Sequence, residues 1–201
     1  MKVARNRLTS YRNRNLSLIL VGAFCMSASA SDLNFLQIHG MQATYGDIPG
    51  FDLRGAEVRG GFGWKNVFTE FRFRKLDDTS GDRKLEDERW NISLGYSYNL
   101  STNLRADIRA NYGSIELEGS SPTEYFISKP KYEGISGFIH YDYSDRLNLY
   151  GGLEWQNLPN NADQKAYHLG AMYEFDWMFV GAEYTKYSDT DAISLFVRYE
   201  Y

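Results

Sequence analysis

A single cysteine, Cys25, occurs in the 201 residues, so the chain has no partner for an intramolecular disulfide. Histidines number three, which leaves little material for imidazole chemistry. A basic surplus is missing as well: the formal net charge is −4, and nucleic acid is a poor partner for such a surface because phosphates need a basic footprint. Helical periodicity, coiled-coil heptads, repeats of solenoid length and low-complexity tracts are all absent after residue 30. Those absences exclude a helical architecture and leave the period-two patterns of β-structure.

The first thirty residues differ from the rest. Lys2, Arg5, Arg7, Arg12 and Arg14 form a basic region without an acid. Leu16 to Met26 is apolar, and Ala28-Ser29-Ala30 offers a small-x-small cleavage site before Ser31. That order is the pattern of a secretory signal peptide, and its apolar stretch falls short of the roughly 20 residues of a spanning helix. Phe24 stands before Cys25, where a lipoprotein signal needs a small residue. Residues 1–30 are therefore expected to be a cleaved leader and residues 31–201 one domain without a thiol. Removing the leader's five basic residues takes the net charge from −4 to −9.

What is abundant is aromatic: 16 Tyr, 12 Phe and 4 Trp. Such rings favour a membrane–water boundary. Apolar and polar residues alternate in segments of about ten, the span of a tilted transmembrane strand. In the clearest segment Trp90, Ile92, Leu94, Tyr96, Tyr98 and Leu100 share one face, opposite Asn91, Ser93, Gly95, Ser97 and Asn99. Leu104 to Tyr112 and Ile193 to Tyr201 repeat the design. Weaker segments lie near 34–46, 55–64, 67–76, 133–143, 147–156, 166–175 and 179–187. In the first, Leu36 and Ile38 give way to Met41, Ala43 and Tyr45, a parity change that a bulge at Gly40 would absorb. Tight polar links at Lys65-Asn66, Ser101-Thr102-Asn103, Ser144-Asp145-Arg146 and Asp176-Trp177 alternate with longer stretches at 47–54, 77–89, 114–132, 157–165 and 188–191. Short periplasmic turns and longer extracellular loops have this rhythm. The pattern predicts a closed antiparallel up-and-down transmembrane β-barrel of ten strands, with eight as the alternative.

A mean hydropathy of −0.50 is compatible with a membrane barrel, since only alternate residues meet lipid. The chemistry of the two faces separates this reading from a soluble periplasmic barrel. The polar face carries Glu57, Arg59, Glu70, Arg72, Arg74, Arg105, Asp107, Arg109, Glu154, Arg198 and Glu200, expected to line the lumen in compensating pairs. The other face is aliphatic at mid-strand and aromatic toward strand ends.

Together, the leader, the short strands with tight turns, and a final strand Leu195-Phe196-Val197-Arg198-Tyr199-Glu200-Tyr201 resemble the small outer-membrane β-barrel superfamily, of the OmpA/OmpX transmembrane-domain type. The resemblance covers about residues 31–201. It implies a bacterial outer-membrane location, with lipid and lipopolysaccharide as surroundings. It also implies recognition by the barrel-assembly machinery through Leu195, Val197, Tyr199 and Tyr201, with Tyr201 where the family usually ends in Phe.

Catalytic, metal and cofactor sites are not expected. His140 and Asp142 share a strand face and faintly resemble the Asp–His pairing of omptin-type proteases, without that family's second acidic pair. No His-x-Ser of the lipid A deacylase kind occurs. Asp77-Asp78-Thr79-Ser80-Gly81-Asp82 is acidic but lacks the spacing of a calcium loop. Arg83, Lys84 and Arg89 are candidates for contact with lipopolysaccharide phosphates. The expected role is a non-enzymatic barrel with a polar-plugged interior, serving envelope structure or surface interaction, with any extracellular ligand bound through 77–89 and 114–132. A narrow porin-like channel for small solutes or ions is the second reading, and an outer-membrane hydrolase the third.

Overall fold

The computed structural model describes residues 33–48 and 50–201; the leader assigned to residues 1–30 lies outside them. Eleven strands follow in order: β1 (Phe35–Tyr45), β2 (Asp52–Trp64), β3 (Val67–Ser80), β4 (Arg83–Ser101), β5 (Leu104–Ser120), β6 (Tyr125–Ser128), β7 (Lys131–Ser144), β8 (Leu147–Leu158), β9 (Ala162–Phe175), β10 (Met178–Tyr187) and β11 (Thr190–Glu200). All neighbours pair antiparallel. Without the short β6, ten strands make a ring in which β4 joins β5, β5 joins β7 and β11 closes onto β1. Closure removes the open edge that lipid cannot satisfy. At one end the links are tight, and Lys65 (φ 57°) and Asp176 (φ 48°) supply the left-handed residue that two-residue hairpins require.

The outward side chains form a belt. Leu94, Ile108 and Leu195 are 59%, 64% and 70% exposed, a loss of hydrophobic free energy in water that acyl chains remove. Trp64, Tyr98, Tyr143, Phe175, Trp177 and Tyr201 are exposed at the tight-turn end, an aromatic girdle. Toward the other end the belt stops at one level on neighbouring strands. On β3 the outward Phe71 and Phe73 are followed by Lys75 and Asp77; on β4, reading upward, Trp90 is followed by Glu88 and Glu86. Lys75 pairs with Glu88 in the ladder, and on the far side Lys186 stands opposite Asp191. This ring of charge marks where lipid gives way to water.

Beyond the ring the pattern inverts, and this accounts for β1. Its register runs unbroken from Phe35↔Glu200 to Tyr45↔Thr190, so Gly40 hosts no bulge. Leu36 and Ile38 face lipid, whereas Met41, Ala43 and Tyr45 point inward and join Phe51, Leu53, Leu76, Leu85 and Ala192 in a buried apolar cluster. The parity of β1 never changes; what changes is the solvent outside it.

The stretches 77–89 and 114–132, expected as loops, are mostly sheet. β3 and β4 stay paired up to Ser80↔Arg83, with Gly81 (φ 62°) in the connecting turn. β5 runs to Ser120, and β6 pairs with its tip from Leu117↔Ser128 to Ser120↔Tyr125. Out of lipid a strand needs no apolar outer face, so charged residues carry the ladder onward. The result is a small sheet of β3, β4, β5 and β6 standing past the lipid belt.

Candidate functional site

The barrel interior is the chemically distinctive region. Period-two geometry sends alternate residues of every strand inward, and the eleven charged residues on the polar face of the sequence all lie on that inner side. Glu57, Arg59, Glu70, Arg74, Asp107, Arg109 and Glu154 are buried. The side chains of Arg72, Arg105, Arg198 and Glu200 are 12%, 17%, 11% and 19% exposed.

These charges form linked pairs. Arg59 reaches from β2 to Glu183 on β10, its two terminal nitrogens donating to the two carboxylate oxygens at 3.0 and 2.8 Å, while its Nε bonds Glu57. Glu183 also accepts from Tyr150 at 2.7 Å. On β3, beside β2, Glu70 accepts from Arg72 and, at 3.0 Å, from Arg109. Arg109 continues to Asp107 at 3.2 Å, and its guanidinium lies 4.4 Å from the Phe138 ring centre. Nearer the outer end Asp87 accepts from Arg74 at 2.7 Å, from Arg89 and from Tyr45. Near the tight-turn end Arg198 donates to Glu200 at 2.7 Å. Buried Glu57, Glu70, Asp87, Asp107 and Glu183 each meet a guanidinium, as low-dielectric surroundings demand, while Glu154 accepts from Gln156 at 2.7 Å and lies 3.4 Å from His168.

Aromatic rings fill the space between. Phe68 lies against Gly95, Tyr132 against Gly113, Phe138 against Gly152, Tyr150 against Gly170 and Phe196 against Gly181, each a directly opposed cross-strand pair. A Cβ added at Gly152 would sit 2.4 Å from Phe138, so glycine is what lets the ring lie flat on the neighbouring strand. Two voids at mid-barrel measure about 40 and 30 Å³, room for a few waters.

Several interior groups were hidden from the sequence reading. Asp87 and Arg89 fell within the stretch taken for a loop, although extending the Asn91–Ser97 face upward reaches both. Arg89 is therefore buried inside rather than displayed to lipopolysaccharide, while Arg83 lies over the Phe51 ring at 5.1 Å and Lys84 bonds Glu86. Glu183 alternates with Val180, Ala182 and Tyr184, a signal that a weak segment obscured. His140 does not engage Asp142. Its Nε2 is 3.1 Å from Asp107 across the β5–β7 ladder, whereas Asp142 accepts from Asn148 at 2.7 Å. Asp78 accepts from the backbone N–H groups of Asp52 and Thr79. Leu195, Val197, Tyr199 and Tyr201 lie along the outer face of β11 and its end, all exposed. Among the described residues no cluster of three or more His, Cys, Asp or Glu is arranged to hold a metal ion.

No family model matches the chain, and no curated protein matches it. Solved structures do. The NanC porin is 9% identical, with 82% of this chain and 98% of that one covered, at a TM-score of 0.54. The translocator domain of the autotransporter NalP from Neisseria meningitidis is 11% identical over 83% of this chain and 87% of its own, at 0.49. Neisserial surface protein A is 9% identical over 87% and 100%, at 0.48. At such identities the likeness is one of fold. What this chain shares with the NanC porin is the closed antiparallel β-barrel.

Proposed function

We propose that the protein is a closed, non-enzymatic barrel that anchors a β-sheet above the outer leaflet for surface interaction. The observation that carries this reading is the filled lumen: cross-barrel ion pairs and flat-lying rings leave voids of about 40 and 30 Å³, which a hydrated solute cannot thread. The porin-like reading needs a continuous aqueous path, and the Arg59–Glu183 pair crosses it.

The sheet of β3, β4, β5 and β6 supports the interaction role. Tyr125, Phe126 and Ile127 on β6 are 61%, 49% and 45% exposed. Above the end of β8 this strand is an edge, able to take an added strand from an extended peptide. Its charged surroundings, including Glu116 paired with Lys129 at 2.7 Å, keep the edge soluble.

The test replaces residues 116–129 by Asn-Gly in protein displayed on cells. Binding to extracellular-matrix proteins and host-cell surfaces is measured beside wild type, and heat-modifiability on gels reports the folded barrel. Binding lost with the barrel retained is the expected result; undiminished binding by the trimmed barrel would overturn the reading.

A further inference from the structure

The outer sheet ends on an open side. β5 lies along one side of β6, and among the described residues no strand lies along the other. We propose, resting on the surface role above, that this edge takes an extended peptide of alternating cationic and apolar residues as a further strand.

The main chain is set for it. Ser121 N–H donates to the Glu124 carbonyl at 2.8 Å, and Ile115 N–H to the Pro130 carbonyl at 3.0 Å. Hydrogen-bonded pairs alternate along an antiparallel ladder, so Gly119↔Phe126 and Leu117↔Ser128 are the bonded pairs between these two. The N–H and C=O of Ile127 therefore point away from β5 into the open edge, where an incoming strand pairs with them.

The side chains set the sign of the charge. Asp77, Glu86 and Glu118 stand directly opposite one another on β3, β4 and β5, and Ile127 is the next member of the row. Like charges so placed repel. Glu86 is answered by Lys75 and Lys84, and Glu116 by Lys129 at 2.7 Å. Glu118 has Glu86 and Ile127 as its neighbours in the row. A residue facing Ile127 on an added strand lies two strand spacings, roughly 10 Å, from β5. A lysine or arginine there lays its methylenes over Ile127 and brings its charge to Glu118. An acidic residue would extend the repelling row, and an apolar one would dry the Glu118 carboxylate without answering its charge. The peptide's intervening residues turn to the inner face, where exposed Phe126, seated on Gly119, offers an apolar contact.

The experiment titrates a peptide alternating lysine and valine into the folded barrel in a non-ionic detergent. Calorimetry follows binding, and amide NMR follows hydrogen exchange at Ile127. A glutamate–valine peptide tests the charge. A lysine–valine peptide N-methylated on the lysine main-chain nitrogens keeps the charge and cannot join the ladder. Saturable binding of the unmethylated lysine–valine peptide is expected, with exchange at Ile127 slowed. Glu118→Gln should weaken it about fivefold, the size of one exposed ion pair, and Glu118→Lys should turn the preference to the glutamate peptide. Heat-modifiability shows that each variant keeps its barrel. The proposal is overturned if the lysine–valine peptide does not saturate, or if either control peptide binds wild type as tightly. It is equally overturned if exchange at Ile127 is unchanged, if Glu118→Gln binds like wild type, or if the barrel trimmed of residues 116–129 binds the peptide undiminished. Host-cell binding lost on trimming, with no peptide bound, would leave the surface role standing and remove the cationic partner alone.

Discussion

Arg59 on β2 and Glu183 on β10 are joined over the two strands between them, β1 and β11, through a two-pronged ion pair of 3.0 and 2.8 Å. Both side chains are almost wholly buried, at 11% and 2% exposure. Neither can lose the other without leaving a charge stranded in the lumen. Glu183→Ala is expected to lower the unfolding free energy by about 3–5 kcal/mol, whereas the double change Arg59→Met with Glu183→Leu, made together with Glu57→Gln because Arg59 also holds Glu57, restores much of it since the linked charges leave together. Urea-induced unfolding in phospholipid vesicles, followed by tryptophan fluorescence, measures both. Equal losses in the single and combined variants would refute the pairing as the source.

The ring-on-glycine packing makes a second prediction. Gly152→Ala adds one methyl group against Phe138, at a distance no relaxed contact allows. Overpacking of this kind costs about 1–3 kcal/mol. The companion Gly152→Ala/Phe138→Leu should recover stability in the same vesicle assay, since the smaller side chain vacates the space. A neutral Gly152→Ala would mean that the rings have room to move.

Depth in the bilayer supplies a third. Ile108 lies midway along the outward face of β5, and Arg at this position should cost about 2–4 kcal/mol. Glu88, one step above the belt, should accept Arg at a cost of at most about 1 kcal/mol, because an exposed pairing with Lys75 is exchanged for one with Glu116 on the other neighbour. Lipid-vesicle unfolding of the pair reads the boundary directly. Comparable costs at both sites would move the boundary up the barrel.

These sites also show how far the sequence could be read. Within the bilayer, legibility was high: Trp90 to Leu100 states its two faces residue by residue, because lipid outside and ion pairs inside pull adjacent positions to opposite chemistry. Above the bilayer the same period-two ladder continues, yet Asp77, Glu86 and Glu118 face water while Leu76 and Leu85 face a buried cluster. The polarity of the faces is reversed there, so a reading tuned to lipid took 77–89 for a loop and saw a bulge at Gly40. Long-range partners were out of reach for a different reason. Strand parity tells that Arg59 points inward, but ring closure brings it to Glu183, 124 residues away. His140 meets Asp107, its diagonal neighbour across the β5–β7 ladder, while Asp142 is taken by Asn148 on β8, and neither partner is visible from one strand alone.

Conductance across a planar lipid bilayer tests the closed lumen most directly. Protein whose folding is verified by heat-modifiability is inserted, and current is recorded under an applied voltage. The ion-paired, ring-packed interior predicts a flat trace without stepwise openings. Steady, ion-selective current steps from the same folded sample would contradict it and make the barrel a channel.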